Sequence, residues 1–418
     1  MVQPASAFTP REPLFGESDG RGGDFVKSFT SQSMIAEKLI PADLQPIYRK
    51  VLEGQRISDG ECLELYRSKD LNAVGMIANI VRERKNGNIG TYIHNLYVNY
   101  SNHCILRCQF CAFGARKTES HAFELTVDEI VRRVQRGLEI GITEVHMVGG
   151  LHPTLKGEWY VDLISRLRAL DPRLFIKAFT AVEVRHLALR IFKKSIRETL
   201  QVLKDAGLNA ITGGGAEVFD QGVRDQICKG KETAEEWAEV HRTWHQMGMH
   251  STATMLFGHI ETHEQRVDHL RRLRELQDET HGFAGFIPFA FESEGARPEL
   301  RHIPHATAVE ELQNLAVSRI YLDNFPHITA YWVSLGLPLA SLALNYGVDD
   351  LHGTIIDEKI FHMAGATTPT QQSVEALTKA IREAGRTPMQ RDTWYRRIEN
   401  TWQSPVSKER EEAELAPA

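Results

Sequence analysis

From about residue 92 the chain alternates short apolar runs with amphipathic stretches, and this alternation limits the fold more than any other feature. The runs fall at 94–100, 144–149, 174–180, 208–213, 250–256, 282–289, 327–332 and 350–355. They are too short for buried helices, and the segments between them carry helical spacing. Thr126–Ile140 is the clearest of these segments: Val127, Ile130, Val131, Val134 and Leu138 share one face, and Thr126 with Glu129 forms a capping box, T-V-D-E. Eight strand–helix units predict an α/β fold, a (β/α)8 TIM-type barrel. A doubly wound open sheet would carry a G-x-G-x-x-G turn after its first strand, and that fingerprint is missing.

Residues 34–91 read as an N-terminal helical extension, with Leu39, Leu44, Ile47, Val51, Cys62, Leu63, Leu65, Tyr66, Val74 and Ile77 at helical spacings and starts near Asp59/Glu61 and Ser68/Asp70. The Gly-, Ser-, Pro- and charge-rich residues 1–33 are expected to be a mobile leader, 92–400 the barrel with its C-terminal helices, and 401–418 a charged tail. Of 418 residues, 49 are Lys or Arg and 55 Asp or Glu, a net charge of −6 with no strongly basic stretch, which argues against a nucleic-acid partner. No apolar run approaches the roughly 20 residues that span a bilayer, and the first residues lack a secretory signal, so no membrane partner and a cytoplasmic location are expected. Only five cysteines occur, and in a reducing compartment disulfides are not expected, so close thiols point to metal or redox chemistry.

Three thiols are close. Asn102 to Phe113 reads N-H-C-I-L-R-C-Q-F-C-A-F, placing Cys104, Cys108 and Cys111 in a C-x3-C-x2-C pattern. Structural zinc wants a fourth soft ligand, and ferredoxin-type carriers use four cysteines per cluster. His103 is a chain neighbour of Cys104, and Cys62 and Cys228 are remote in sequence. Three cysteines therefore suit a [4Fe–4S] cluster with one iron open to a ligand, on a loop that follows the first strand at the barrel's active-site face. A non-catalytic iron–sulfur electron carrier or sensor is the alternative, and it would need Cys62, Cys228 or His103 as the fourth ligand. Other polar and glycine-rich segments also follow strands: V-G-G-L-H-P (148–153), T-G-G-G-A-E (212–217) and T-M-L-F-G-H-I-E (254–261). Arg224 offers a guanidinium fork that suits a carboxylate, and His259 a group that titrates near neutrality.

Cys104, Cys108, Phe110 and Cys111 match, position by position, the C-x3-C-x-aromatic-C signature, and the chain resembles the radical S-adenosylmethionine superfamily. The resemblance implies a [4Fe–4S] cluster held by Cys104, Cys108 and Cys111, with S-adenosyl-L-methionine as co-substrate. It implies cofactor contacts at Phe110, at Gly149 and Gly150 for the amino group, at Gly214 and Glu217 for the ribose, at Arg224 for the carboxylate, and at Gly258 for the adenine. His259 and Glu261 are the implied catalytic pair. Three positions depart from the pattern: Leu151 stands where an acidic residue is common, Thr212 where a proline often precedes the glycines, and Thr254 replaces a glycine of the adenine motif.

Within the superfamily the chain resembles the futalosine-route enzymes of menaquinone biosynthesis, more the synthase type than the cyclase, and shares its plan with the tyrosine-using deazaflavin enzymes. K-A-F-T-A-V-E (177–183), G-G-G-A-E-V-F (213–219), L-D-N-F-P-H-I-T-A-Y-W (322–332) and Y-G-V-D-D-L-H-G-T (346–354) carry that likeness. It implies addition of a 5′-deoxyadenosyl radical to the enol ether of 3-[(1-carboxyvinyl)oxy]benzoate, with loss of a carboxylate as bicarbonate. A flavodoxin or ferredoxin would supply electrons, and a homodimer is compatible with it. For the two substrate carboxylates and the groups that orient them, Lys177, His152, Asn324 and Asp349 are the expected contacts. The stretch 289–300 (F-A-F-E-S-E-G-A-R-P-E-L) departs from the family and is expected to shape the substrate pocket.

Overall fold

The computed structural model describes residues 37–398, so the leader 1–33 and the tail 401–418 lie outside the described residues. Ten strands are present: β1 (Ile89–Ile93), β2 (Asn95–Val98), β3 (Glu144–Met147), β4 (Phe175–Thr180), β5 (Ala210–Thr212), β6 (His250–Phe257), β7 (Phe283–Ala290), β8 (His327–Ile328), β9 (Asp350–Gly353) and β10 (Thr387–Gln390). β2 to β8 form one parallel sheet in sequential order. β9 spans the opening between its edges through the parallel bridges Thr329↔Asp350 and Leu96↔Ile356, with the Tyr97 N–H donating to Ile356 O at 2.9 Å. The expected eight-strand α/β barrel is therefore β2–β9. A short outer sheet, β10-β1-β9, sits against it, and β1 grows from the end of the helical extension.

Capping chemistry sets where the helices begin. Serine or threonine caps answered three residues later by Glu or Gln close both bonds of a capping box at Ser58/Glu61, Thr126/Glu129, Thr180/Glu183, Ser195/Glu198, Thr233/Glu236 and Thr262/Gln265. Thr180, Thr233 and Thr262 stand at or just beyond the ends of strands or their loops, so these boxes fix where a loop stops and a helix starts. Val127–Glu139 turns Val127, Ile130, Val131 and Val134 onto the sheet. The extension comprises Gln45–Leu52, Asp59–Arg67 and Leu71–Asn86, and the last of these packs on Ala308–Tyr321.

Register sets the barrel interior. Asn95 pairs Glu144, and two residues further on Tyr97 pairs His146 and His146 pairs Lys177. Residues paired across parallel strands share a face, so Tyr97, His146 and Lys177 form one inward row above Asn95 and Glu144. The intervening Leu96, Val145 and Ile176 face the helices and are buried.

The N-terminal end of the barrel is closed by paired charges. Arg319 donates to Gly347 O at 2.8 Å and is ion-paired with Asp349, whose other oxygen meets His327 Nδ1 at 2.5 Å; Arg319 and Asp349 are wholly buried. Asn324 is tied there too, donating to Arg274 O and to Asp278 Oδ1, each at 2.8 Å. Asn324 and Asp349, expected at the substrate, are thus at the opposite end. Both precede their strands rather than follow them; the Asn324 Nδ2 and both Asp349 oxygens are bound to structural partners.

Candidate active site

A cavity of about 290 Å³ opens at the C-terminal ends of the strands. Cys104, Cys108 and Cys111 line it together with Phe110, Gly149, Gly150, Gly214 and Glu217. The cysteine loop is folded by its own backbone: Cys104 N–H donates to Ala115 O at 3.0 Å, Cys111 N–H to Cys108 O at 3.2 Å, and Gly114 N–H to Cys111 Sγ at 3.4 Å. All three thiols are free and half-buried. Among the described residues they do not converge within the 4.8 Å that would let one ion bind all three. Three free thiols on one cavity wall are the soft donor set that an iron–sulfur cluster takes. Burial pushes the Cys108 and Cys111 thiols up, with Lys231 opposing, so loading iron must release their protons. None of the three alternative fourth ligands lines the cavity: His103 is bound to His152, and Cys62 and Cys228 are buried elsewhere.

The two glycines after β3 are required by close approach. A Cβ on Gly149 would meet the Tyr100 ring at 2.5 Å, and one on Gly150 would meet His103 O at 2.3 Å. Their N–H groups are taken, Gly149 by Glu183 Oε1 at 3.0 Å and Gly150 by Ser101 O at 2.8 Å. Their carbonyls accept no hydrogen bond among the described residues and are available to a cation. Glu183, which the sequence reading missed, ties this turn. Its Oε1 also accepts from the Tyr100 hydroxyl at 2.7 Å, and its Oε2 accepts from Thr180 N and Oγ1, both at 2.8 Å. Its carboxylate is fully used, so Glu183 positions the glycine turn.

The T-G-G-G-A-E segment also lies close to its neighbours. A Cβ on Gly213 would meet Thr252 O at 2.6 Å, and Thr254, the residue replacing a family glycine, donates through Oγ1 to Gly213 O at 2.7 Å. Glu217 sits in left-handed backbone (φ 47°) and is ion-paired with Lys231. Lys231 also stands 5.6 Å from the Phe110 ring centroid and lines the cavity.

Arg224 departs from expectation. It is 2% exposed, and its guanidinium donates to the carbonyls of Gly215, Ala216, Val218 and Glu232. It braces the glycine loop from behind and does not reach the cavity, so Lys231 is the cation that faces it.

His259, Glu261 and Gly258 form a closed knot after β6, away from the cavity lining. Glu261 accepts from Gly258 N at 2.6 Å, His259 N at 2.9 Å and Arg266 Nε at 2.8 Å, and its Oε2 meets His259 Nδ1 at 2.9 Å. Burial would raise this carboxyl, but His259, Arg266 and the Gly258 N–H hold it down at about 2. A carboxylate so committed is a structural anchor, and it cannot exchange protons with substrate near neutrality.

His152 is likewise turned away from the cavity. Its Nδ1 accepts from Thr154 N at 3.2 Å and Leu155 N at 3.0 Å, so its proton sits on Nε2, against Glu124 Oε2 at 2.7 Å and His103 Nδ1 at 3.0 Å. His103, Glu124 and His152 come within 4.8 Å, but the nitrogen that an ion would need already carries that proton. The group links the cysteine loop to the glycine turn.

The inner part of the cavity is lined by Tyr97, His146, Phe289, Tyr331, His352 and Phe361 among others. Tyr331 lies 5.2 Å from Phe361 and 5.3 Å from His352 between ring centroids. Polar Glu144 and His146 alternating with Val145 and Met147 in E-V-H-M are a signal that a period-2 reading could have caught.

The comparisons agree with this geometry. Residues 98–273 match the radical SAM superfamily, and residues 280–403 match the CofH/MqnC C-terminal region. An aminodeoxyfutalosine synthase of Thermus thermophilus is 46% identical over 357 residues, 85% of this chain and 96% of that protein. A cyclic dehypoxanthine futalosine synthase of Streptomyces coelicolor is 37% identical, covering 85% and 89%. The solved structure of methylornithine synthase has TM-score 0.65 at 18% identity, covering 82% of this chain and 97% of that one. The chain is a radical S-adenosylmethionine enzyme, of the family that uses a [4Fe–4S] cluster with S-adenosylmethionine. Within that family it belongs with the futalosine-pathway enzymes. Among the described residues no helix is long and apolar enough to cross a membrane.

Proposed function

We propose that the chain is an aminodeoxyfutalosine synthase. It joins C5′ of S-adenosylmethionine to the enol-ether double bond of 3-[(1-carboxyvinyl)oxy]benzoate, giving 6-amino-6-deoxyfutalosine, bicarbonate and methionine. The observation that carries this reading is the identity to the Thermus thermophilus synthase, 46% against 37% for the cyclase. When bound at Cys104, Cys108 and Cys111, the cluster with S-adenosylmethionine supplies a carbon radical at C5′.

The residues around it have distinct tasks. The Gly149 and Gly150 carbonyls receive the methionine ammonium, and Lys231 receives its carboxylate, the task expected of Arg224. Glu183 keeps the glycine turn in place. Phe289, Tyr331 and Phe361 give an aromatic acceptor flat surfaces and exclude water, which a reactive radical requires. A flavodoxin or ferredoxin is the proposed reductant.

The test is anaerobic turnover of the reconstituted enzyme with dithionite, S-adenosylmethionine and the enol ether, read by mass spectrometry. The adenosyl adduct is expected. Free 5′-deoxyadenosine as the dominant product would overturn the synthase reading. Lys231→Met should raise the KM for S-adenosylmethionine tenfold or more.

A further inference from the structure

The inner end of the cavity holds polar groups that no protein partner satisfies. His146 is 8% exposed and lines the cavity, yet neither of its ring nitrogens makes a hydrogen bond among the described residues. The nearest carboxylate, Glu144 Oε1, is 4.0 Å from its Nδ1, beyond hydrogen-bond reach. His352, 3% exposed, reaches the same place from β9, and its Nδ1 is also buried without a partner. Tyr97 stands between the two. Its ring stacks on His146 with centroids 4.3 Å apart and planes 17° apart, and its hydroxyl meets His352 Nε2 at 3.2 Å.

His352 is held there at a backbone cost. Its φ is 63°, left-handed and sparsely populated for a residue with a Cβ. Asp350 Oδ1 takes its N–H at 2.9 Å, and Arg391 clamps Asp350 through two bonds at 2.6 and 2.9 Å. Strain kept in place by surrounding contacts, at a side chain facing a cavity, is a mark of function.

Lys177 completes the row beside His146. It is 5% exposed, and its ammonium forms no hydrogen bond or ion pair among the described residues, with Glu144 its strongest opposite charge. Burial first, then the Lys177 charge, keeps both histidines well below the usual imidazole range and so neutral. A buried ammonium and two imidazoles with unused Nδ1 atoms are costly to leave unpaired. A ligand bearing negative oxygens at one end and a flat ring above it would satisfy the imidazoles, with Lys177, which does not itself line the cavity, contributing charge from behind them.

We propose that Tyr97, His146 and His352, backed by the charge of Lys177, form the floor that receives the ring carboxylate of the aromatic substrate. The inference deepens the synthase reading and rests on it for the identity of the acid. The aromatic ring then lies against the Tyr331–Phe361 pair, whose rings touch each other at 5.2 Å between centroids, with the enol ether directed toward the cysteine end.

The test compares ligands that differ only in that charge. Benzoate and methyl benzoate are titrated into the reconstituted enzyme with S-adenosylmethionine and no reductant, and cluster absorbance reports intact folding. The native chain is expected to prefer benzoate at least tenfold, and His146→Phe and His352→Phe should bring that preference close to unity. If either variant loses its cluster, His146→Gln and Tyr97→Phe serve, each expected to lower the preference at least threefold. A native preference near unity, or variants that retain the native preference, would overturn the floor. Native discrimination that the variants abolish, without turnover of the enol ether, would leave the floor standing and remove the synthase reading.

Discussion

The two ends of the barrel treat buried charge in opposite ways. At the N-terminal end the central buried groups are paired: Arg319 with Asp349, and Asp349 with His327, while the Asn324 amide donates to Asp278. Around the cavity at the other end, His146 and Lys177 have none, and the Gly149 and Gly150 carbonyls are unused. Neighbouring layers share one sheet and one core, so the difference is not one of burial. Polar groups that hold the fold are spent, whereas most of those proposed to meet ligands are unspent, Lys231 with its Glu217 ion pair being the exception. Proximity to a motif is therefore a poorer guide to a working side chain than its unused bonding capacity.

Substitutions can break this contrast, and the largest effect belongs to the cysteine loop. Cys108→Ser should abolish both the brown absorbance of the cluster and turnover, and activity surviving it would refute the assignment. Asp349→Asn, at the paired end, leaves Arg319 buried without its countercharge and should cost about 3–5 kcal/mol in chemical denaturation. The ratio of benzoate to methyl benzoate affinity should stay native in that variant.

Glu261 gives a pH-dependent comparison of intermediate size. Its folded-state pKa, about 2, lies below the ordinary carboxylate value, so its stabilisation is present above about pH 4.5 and is lost as pH falls toward 2. Glu261→Gln should cost roughly 3 kcal/mol at pH 7, measured by denaturant titration of the metal-free chain, and the gap to the native chain should narrow at pH 3. A gap independent of pH would show that the carboxylate charge is not what the knot requires. The smallest effect is expected on the outer layer: Thr126→Ala, which removes one capping box, should lower stability by about 1 kcal/mol with the KM values unchanged.

Much of the architecture was legible because it is local. Short apolar runs between amphipathic stretches marked all eight barrel strands, and S/T-x-x-E/Q boxes such as Thr126/Glu129 marked helix starts. The cysteine loop was legible because its spacing is itself the chemistry. Arg224, His259, Glu261, Asn324 and Asp349 misled for a common reason. Their residue types suit ligand work, but only the folded chain shows which carbonyls, amides and charges have already claimed them. The inner floor was hidden in another way. Tyr97, His146 and His352 come from β2, β3 and β9, and only barrel closure brings the last beside the first two.

The plugged N-terminal end also governs traffic. With Arg319, Asp349 and Phe325 filling it at 0% exposure, no route is left through that end. For the proposed reaction, both reactants enter past the cysteine loop, and the joined product leaves by the same doorway. On that proposal the expected order is that the deeper site fills first and methionine, seated nearer the threshold, departs ahead of the adduct.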